Sequence, residues 1–246
     1  MASLDSILVL TKFPRPGRVK TRLIGALTPQ QAAEVHRACL LDTLALAASV
    51  PECERVLLVA SSPASARRLA QHLRIGRGWR IAVQGRGDLG QRLARAFRAA
   101  FRSGAKKAVV VGTDTPWMDL RRIQQALRLL NHADVVLGPT EDGGYYLVAM
   151  RCEVPQMFRR ILWGTARVLQ RTVATLRRAR IPFRLLARDF DLDTPAALRR
   201  AARLLRRGQR TRSALHGWIE RWRPASESSR RRPPDRRNRT RRLGRA

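Results

Sequence analysis

The sequence predicts an α/β domain: a mixed, mostly parallel sheet with helices on both faces. Three observations carry that prediction. Short apolar runs such as Ala108-Val109-Val110-Val111 recur along the chain and are the length of buried strands. Segments of helical periodicity separate them, the alternation of a βα repeat. Apolar residues make up 44% of the 246, enough to bury one sizeable core.

Residues 6–10 (SILVL) form the first buried strand. The loop that follows, residues 11–23, holds two prolines and a glycine, which exclude a regular element. Thr28-Pro29-Gln30-Gln31 then opens a helix, with Thr as N-cap, Pro at N1 and Gln at N3, running to about residue 48. Strand 55–60, helix 64–74, strand 79–84, helix 88–102 and strand 107–112 repeat the alternation. Continuous apolar strands of this kind belong to parallel sheets covered on both sides.

After residue 112 the rhythm changes. Helix 120–131 leads to strand 134–138, a turn at Glu141-Asp142-Gly143-Gly144 and strand 145–150. So short a connection makes that pair antiparallel. Helix 165–179, strand 183–187 and helices 195–207 and 213–222 complete a domain expected over residues 1–223. Residues 224–246 carry nine Arg, two acids and almost no apolar side chain, and are expected to be a disordered tail.

The formal net charge of +32 suggests nucleic acid, but its distribution does not. Only four basic residues are Lys (Lys12, Lys20, Lys106, Lys107); the 46 Arg are spread over most helices, as a GC-rich genome would produce. Aromatic residues, at 5%, are not interleaved with the basic runs, which counts against a base-stacking platform. A basic nucleic-acid-binding protein, binding through the Arg-rich tail, is the distant alternative and is not favoured. The longest apolar stretch, residues 39–50, is interrupted by Asp42 and too short to span a bilayer. With no basic region opening the N-terminus, the expectation is a soluble cytoplasmic protein. Cys39, Cys53 and Cys152 show no metal spacing and read as buried, reduced thiols.

In open α/β sheets, ligands bind beyond the carboxyl ends of the strands. Four polar segments stand there. In the first loop, Lys12, Arg15, Arg18, Lys20 and Arg22 crowd around Gly17, a pattern suited to a di- or triphosphate. After the third strand, Gln84-Gly85-Arg86-Gly87-Asp88-Leu89-Gly90 could let a base or ribose pack on backbone, while Asp88 and Gln91 form a capping box. Gly112-Thr113-Asp114-Thr115-Pro116 ends the AVVV strand with one carboxylate placed for a hard cation. Asp189, Asp191 and Asp193 project from one side if the segment is extended, and like charges so placed call for Mg²⁺ or Mn²⁺. At Asp142-Gly143-Gly144-Tyr145, the glycines would let a substrate lie against backbone. His36, His72, His132 and His216 fall in or beside helices and suggest no nucleophilic triad.

These motifs, in this order, resemble the GT-A superfamily of nucleotide-diphosphosugar transferases and nucleotidyltransferases. More narrowly, the chain resembles the bacterial arsenosugar-biosynthesis glycosyltransferases, also called radical-SAM/selenodomain-associated transferases, which are related to 2-phospholactate guanylyltransferases. The resemblance covers residues 6–205. It implies a Rossmann-like GT-A fold and a metal-dependent enzyme acting on a nucleotide sugar, or on an NTP, with a small-molecule acceptor. Lys12, Gly17, Lys20, Thr21, Arg22, Gln84, Asp88, Leu89 and Gly90 would bind the nucleotide. Asp114, Asp191 and Asp193 would hold the metal, with Lys20, Arg22 and Asp114 serving catalysis. Asp142, Gly143, Gly144, Tyr145 and Trp163 would face the second substrate.

Overall fold

The computed structural model describes residues 4–206 and 213–222. Seven strands form one sheet: β1 (Asp5–Lys12), β2 (Cys53–Ala60), β3 (Trp79–Val83), β4 (Ala108–Val111), β5 (Val135–Pro139), β6 (Tyr145–Met150) and β7 (Phe183–Leu185). Their order across the sheet is β3-β2-β1-β4-β6-β5-β7. Only β6 runs against its neighbours; β1–β2, β2–β3, β1–β4 and β5–β7 pair in parallel. The fold is therefore α/β with a mixed, mostly parallel sheet, as the sequence predicts.

The helices are α1 (Pro29–Ala48), α2 (Pro63–His72), α3 (Leu89–Arg102), α4 (Leu120–Leu129), α5 (Val168–Arg178), α6 (Pro195–Arg206) and α7 (Ala214–Arg221). Because strand side chains alternate, Ile7 and Val9 bury with α1, α2 and α4 on one face. Leu8, between them, buries with Leu93, Phe97 and Leu176 of α3 and α5 on the other. A third cluster joins the far side of α1 to α6 and α7 through Val35, Cys39, Leu198, Leu215, Trp218 and Ile219. The capping boxes at Thr28/Gln31 and Asp88/Gln91 both form.

Three details differ from expectation. β1 extends to Lys12, and Thr21–Leu23 makes one turn of 3₁₀ helix inside the first loop, because Lys20 takes a left-handed conformation (φ 49°) that opens it. α5 starts at Val168; residues 165–167 are a turn, tied by Val168 N–H to Thr165 O. Cys39 is buried, but Cys53 is half-buried and Cys152 exposed. The Arg-rich tail from residue 224 lies outside the described residues.

Topology positions the site. β2 and β3 lie on one side of β1, and β4 is added on the other, so the crossovers from β1 and β4 leave in opposite directions. The crevice at their carboxyl ends is the switch point where open α/β sheets take ligands.

Candidate active site

A cavity of about 580 Å³ opens at that crevice. Its walls include Lys12 at the end of β1, Lys20, Thr21 and Arg22 of the first loop, Gln84 and Leu89 around the start of α3, Asp114 beyond β4, Tyr145 and Asp193. Of the residues singled out in sequence, these nine meet in one place. Gly17, Asp88, Gly90, Asp142, Gly143, Gly144, Trp163 and Asp191 do not line it.

Lys20 is the centre. Its side chain is 2% exposed and its ammonium donates to Asp114 Oδ1 and, at 3.0 Å, to Asp193 Oδ1. Burial alone would lower the lysine pKa, but the two carboxylates, Asp114 first, hold it above its ordinary value. Burial would likewise raise Asp114, yet the Lys20 ammonium keeps that carboxyl below the usual range. Asp114 O also accepts from Leu192 N–H at 2.8 Å, which fastens the 189–194 segment to the end of β4.

The three aspartates of that segment part company. Asp193 meets Lys20, and Asp191 accepts from Thr115 Oγ1 at 2.8 Å. Asp189 turns away to accept from Trp117 Nε1 at 2.8 Å and Phe190 N–H at 2.9 Å. Phe190 itself stacks on Trp117 and lies under the Arg200 guanidinium. Asp189 pairs with Thr140 in a parallel bridge, and Phe190 and Leu192 are buried between the aspartates, so the alternation holds, but the Asp189 carboxylate is taken up by Trp117 and does not join Lys20 and Asp114. Thr194, not Asp193, caps α6, accepting from Ala197 N–H.

Among the described residues no three His, Cys, Asp or Glu side chains form a ready metal cage. A hard divalent cation needs none where substrate phosphates complete its shell around one or two carboxylates. The oxygen donors fit such a cation. Asp191 is pushed up to about 7 by burial and by the neighbouring Asp114 charge, the crowding that a cation relieves.

In the Asp142–Tyr145 turn, Gly143 is required by the fold itself. A Cβ on Gly143 (φ 88°) would sit 2.1 Å from Ala166 O, and Leu169 N–H donates to Gly143 O. Asp142 accepts from Thr140 Oγ1 and Gly144 N–H, closing the turn. Gly90 is likewise covered, by Trp163 and Phe158 O. Trp163 thus packs on the start of α3 and edge-on against Tyr145; among the described residues its buried Nε1 has no partner, while the buried Tyr145 hydroxyl lies beside Thr172.

His36, Thr11, Arg92 and Tyr146 also line the cavity. His36 Nε2 lies 3.1 Å from Lys12 O and 3.2 Å from Thr11 Oγ1, and since a carbonyl only accepts, Nε2 carries the proton. Burial holds its pKa below 6.5. The signal was present: His36 sits on the buried stripe Ala32, Val35, Cys39 of α1, a titratable group on an apolar face.

Residues 43–165 match the family described as an uncharacterized protein conserved in bacteria (DUF2064). No curated protein matches the chain. Among solved structures, a protein of Desulfovibrio desulfuricans G20, provisionally named a nucleotide-diphospho-sugar transferase, is 32% identical with a TM-score of 0.83, over 89% of this chain and 94% of that one. A cytidylyltransferase from Leptospira borgpetersenii is 14% identical (TM-score 0.53, covering 89% and 93%). Rv0371c of Mycobacterium tuberculosis in complex with manganese is 19% identical (TM-score 0.50, covering 81% and 98%). The last two share the fold. No helix among the described residues is long and apolar enough to cross a membrane.

Proposed function

The chain belongs to the DUF2064 family of bacterial proteins, and from that membership and its site we propose a metal-dependent transferase acting on a nucleotide-activated donor, in the first instance a glycosyltransferase using a nucleotide sugar. One observation carries this reading. Lys20, paired to Asp114 and Asp193, sits at the switch point with Lys12 and Arg22 beside it, and among the described residues neither of those two forms an ion pair. Unpaired cations around a carboxylate pair suit a diphosphate and its counter-ion. The provisional name of the Desulfovibrio relative points the same way.

In this reading Lys12, Thr21 and Arg22 hold the phosphates and Lys20 steadies the leaving phosphate. Gln84, Leu89 and the loop from Gly87 to Gly90 receive the nucleoside. Asp114 and Asp193, with Asp191 behind them, would hold Mg²⁺ or Mn²⁺, which supplies charge neutralisation on the diphosphate. The narrower arsenosugar-glycosyltransferase assignment is the source of the preference for sugar transfer. The acceptor is a small molecule entering past Tyr145.

A thermal-shift screen of NTPs and nucleotide sugars, with and without Mn²⁺ and repeated on Asp114→Ala, tests the reading. Metal-dependent stabilisation by a nucleotide sugar, lost in the variant, is expected. Stabilisation by an NTP alone would assign nucleotidyl transfer instead, which the same residues could perform. No metal-dependent response to any nucleotide would sink both.

A further inference from the structure

Arg95 lies on α3 outside the cavity wall, one of 46 arginines, and forms no ion pair among the described residues. Its guanidinium is committed to backbone. Nε and Nη2 donate to Gln84 O at 3.3 and 3.1 Å, and Nη2 also donates to Arg86 O. The approach depends on glycine: a Cβ on Gly85 (φ 77°) would meet the Arg95 Nε at 3.0 Å. One turn earlier on the helix, Arg92 Nε donates to Gly87 O at 2.9 Å. Three carbonyls of a four-residue loop are thus drawn toward α3.

From the opposite side, Gln84 Nε2 donates to Thr11 O and Leu58 O, both at 2.9 Å, so the amide cannot turn over. Among the described residues its Oε1 has no protein partner; it is not among the sealed polar atoms, and it belongs to a residue lining the cavity. Gln84 is held at its carbonyl by Arg95 and at its amide by β1 and β2.

We infer that Arg95 is a positioning residue for the nucleoside half of the cavity: it fixes the Gln84–Gly87 loop so that Gln84 Oε1 stands as a stationary acceptor for an N–H group of the base. This rests on the nucleotide reading of the site. Preorganising a loop removes an ordering cost that binding would otherwise meet. The phosphate half, on Lys12, Lys20 and Arg22, belongs to β1 and the loop after it, and the Arg95 guanidinium bonds to none of these three.

The test compares full-length wild type with Arg95→Met and Arg95→Lys by calorimetry, using ADP, CDP, GDP and UDP with Mn²⁺, and pyrophosphate with Mn²⁺ as the baseless probe. Arg95→Met should weaken the best-bound nucleoside diphosphate roughly 10-fold, narrow the spread among the four, and leave pyrophosphate unchanged. Arg95→Lys should recover part of the loss. Unchanged nucleotide affinity in Arg95→Met, or equal losses for pyrophosphate and nucleotide, would overturn the inference while leaving the site intact. If Arg95→Met does not fold, the Arg95→Lys ratio of nucleotide to pyrophosphate affinity decides. Wild type that binds pyrophosphate but no nucleoside diphosphate would overturn the reading beneath it, and the inference with it.

Discussion

Lys20 and Asp114 form an ion pair with unequal ends: the lysine side chain is 2% exposed, the aspartate 45%. Removing either charge therefore has a different consequence. Asp114→Asn leaves a buried ammonium with Asp193 alone and should cost on the order of 2–3 kcal/mol. Lys20→Met leaves two carboxylates that water can reach and should cost about 1 kcal/mol. Urea unfolding of the two variants checks the order; equal losses would contradict the asymmetry.

His36 supplies a pH dependence. Burial keeps its folded pKa below the ordinary 6.5, with Lys20 and Lys12 also lowering it and Asp114 and the Lys12 carbonyl raising it. Between 6.5 and that lower value the unfolded chain binds more protons, so stability is complete above 6.5 and falls as pH drops through the window. The slope from this group is at most about 1.4 kcal/mol per pH unit. His36→Gln keeps a donor for Lys12 O and removes the slope, which unfolding midpoints at several pH values would reveal.

Gly143 and Gly144 are adjacent but not equivalent. Alanine at Gly143 combines a left-handed backbone with a 2.1 Å approach to Ala166 O and should cost about 3 kcal/mol. Gly144 has no such backbone requirement and its nearest neighbour is 3.1 Å away, so alanine there should cost under about 1 kcal/mol. If Gly144→Ala proves the worse of the two, that face of the turn is used by something other than Ala166.

Asp191 is partly buried and crowded by Asp114, then by Asp142 and Asp193, and among the described residues it forms no ion pair of its own. Asp191→Asn keeps an acceptor for Thr115 Oγ1 and should stabilise the metal-free protein by about 1 kcal/mol at pH 8. With nucleotide present, the same variant should lose most of its response to Mn²⁺. Differential scanning calorimetry with and without EDTA measures both.

What the sequence discloses and what it conceals have physical reasons. Strands and caps depend on neighbours in the chain: the Thr28 and Asp88 boxes and the apolar run before Gly112 form where local chemistry requires. Lys20 and Asp114 were conspicuous because lysine is scarce and the carboxylate ends a buried strand. Asp189 was unreadable because its carboxylate is claimed by the Trp117 indole N–H, a partner distant in sequence. At Gly143 φ and crowding both demand glycine, and sequence cannot say that Ala166 does the crowding. Arg95 was invisible for a simpler reason: its partners are carbonyls, which every residue has.

The docking of α7 on α1 has a consequence for how the protein is made. Asp42 accepts from Ala214 N–H and Leu215 N–H, and Trp218 reaches Glu34, across 172 and 184 residues of chain. The stripe of α1 around Val35 and Cys39 stays uncovered on a ribosome until α6 emerges, and part-covered until α7 follows. At ordinary elongation rates that interval is roughly 10–30 s. Nascent chains therefore display a bare apolar helix for most of their synthesis, and a gene cut short before residue 214 yields an aggregation-prone product rather than a smaller working domain.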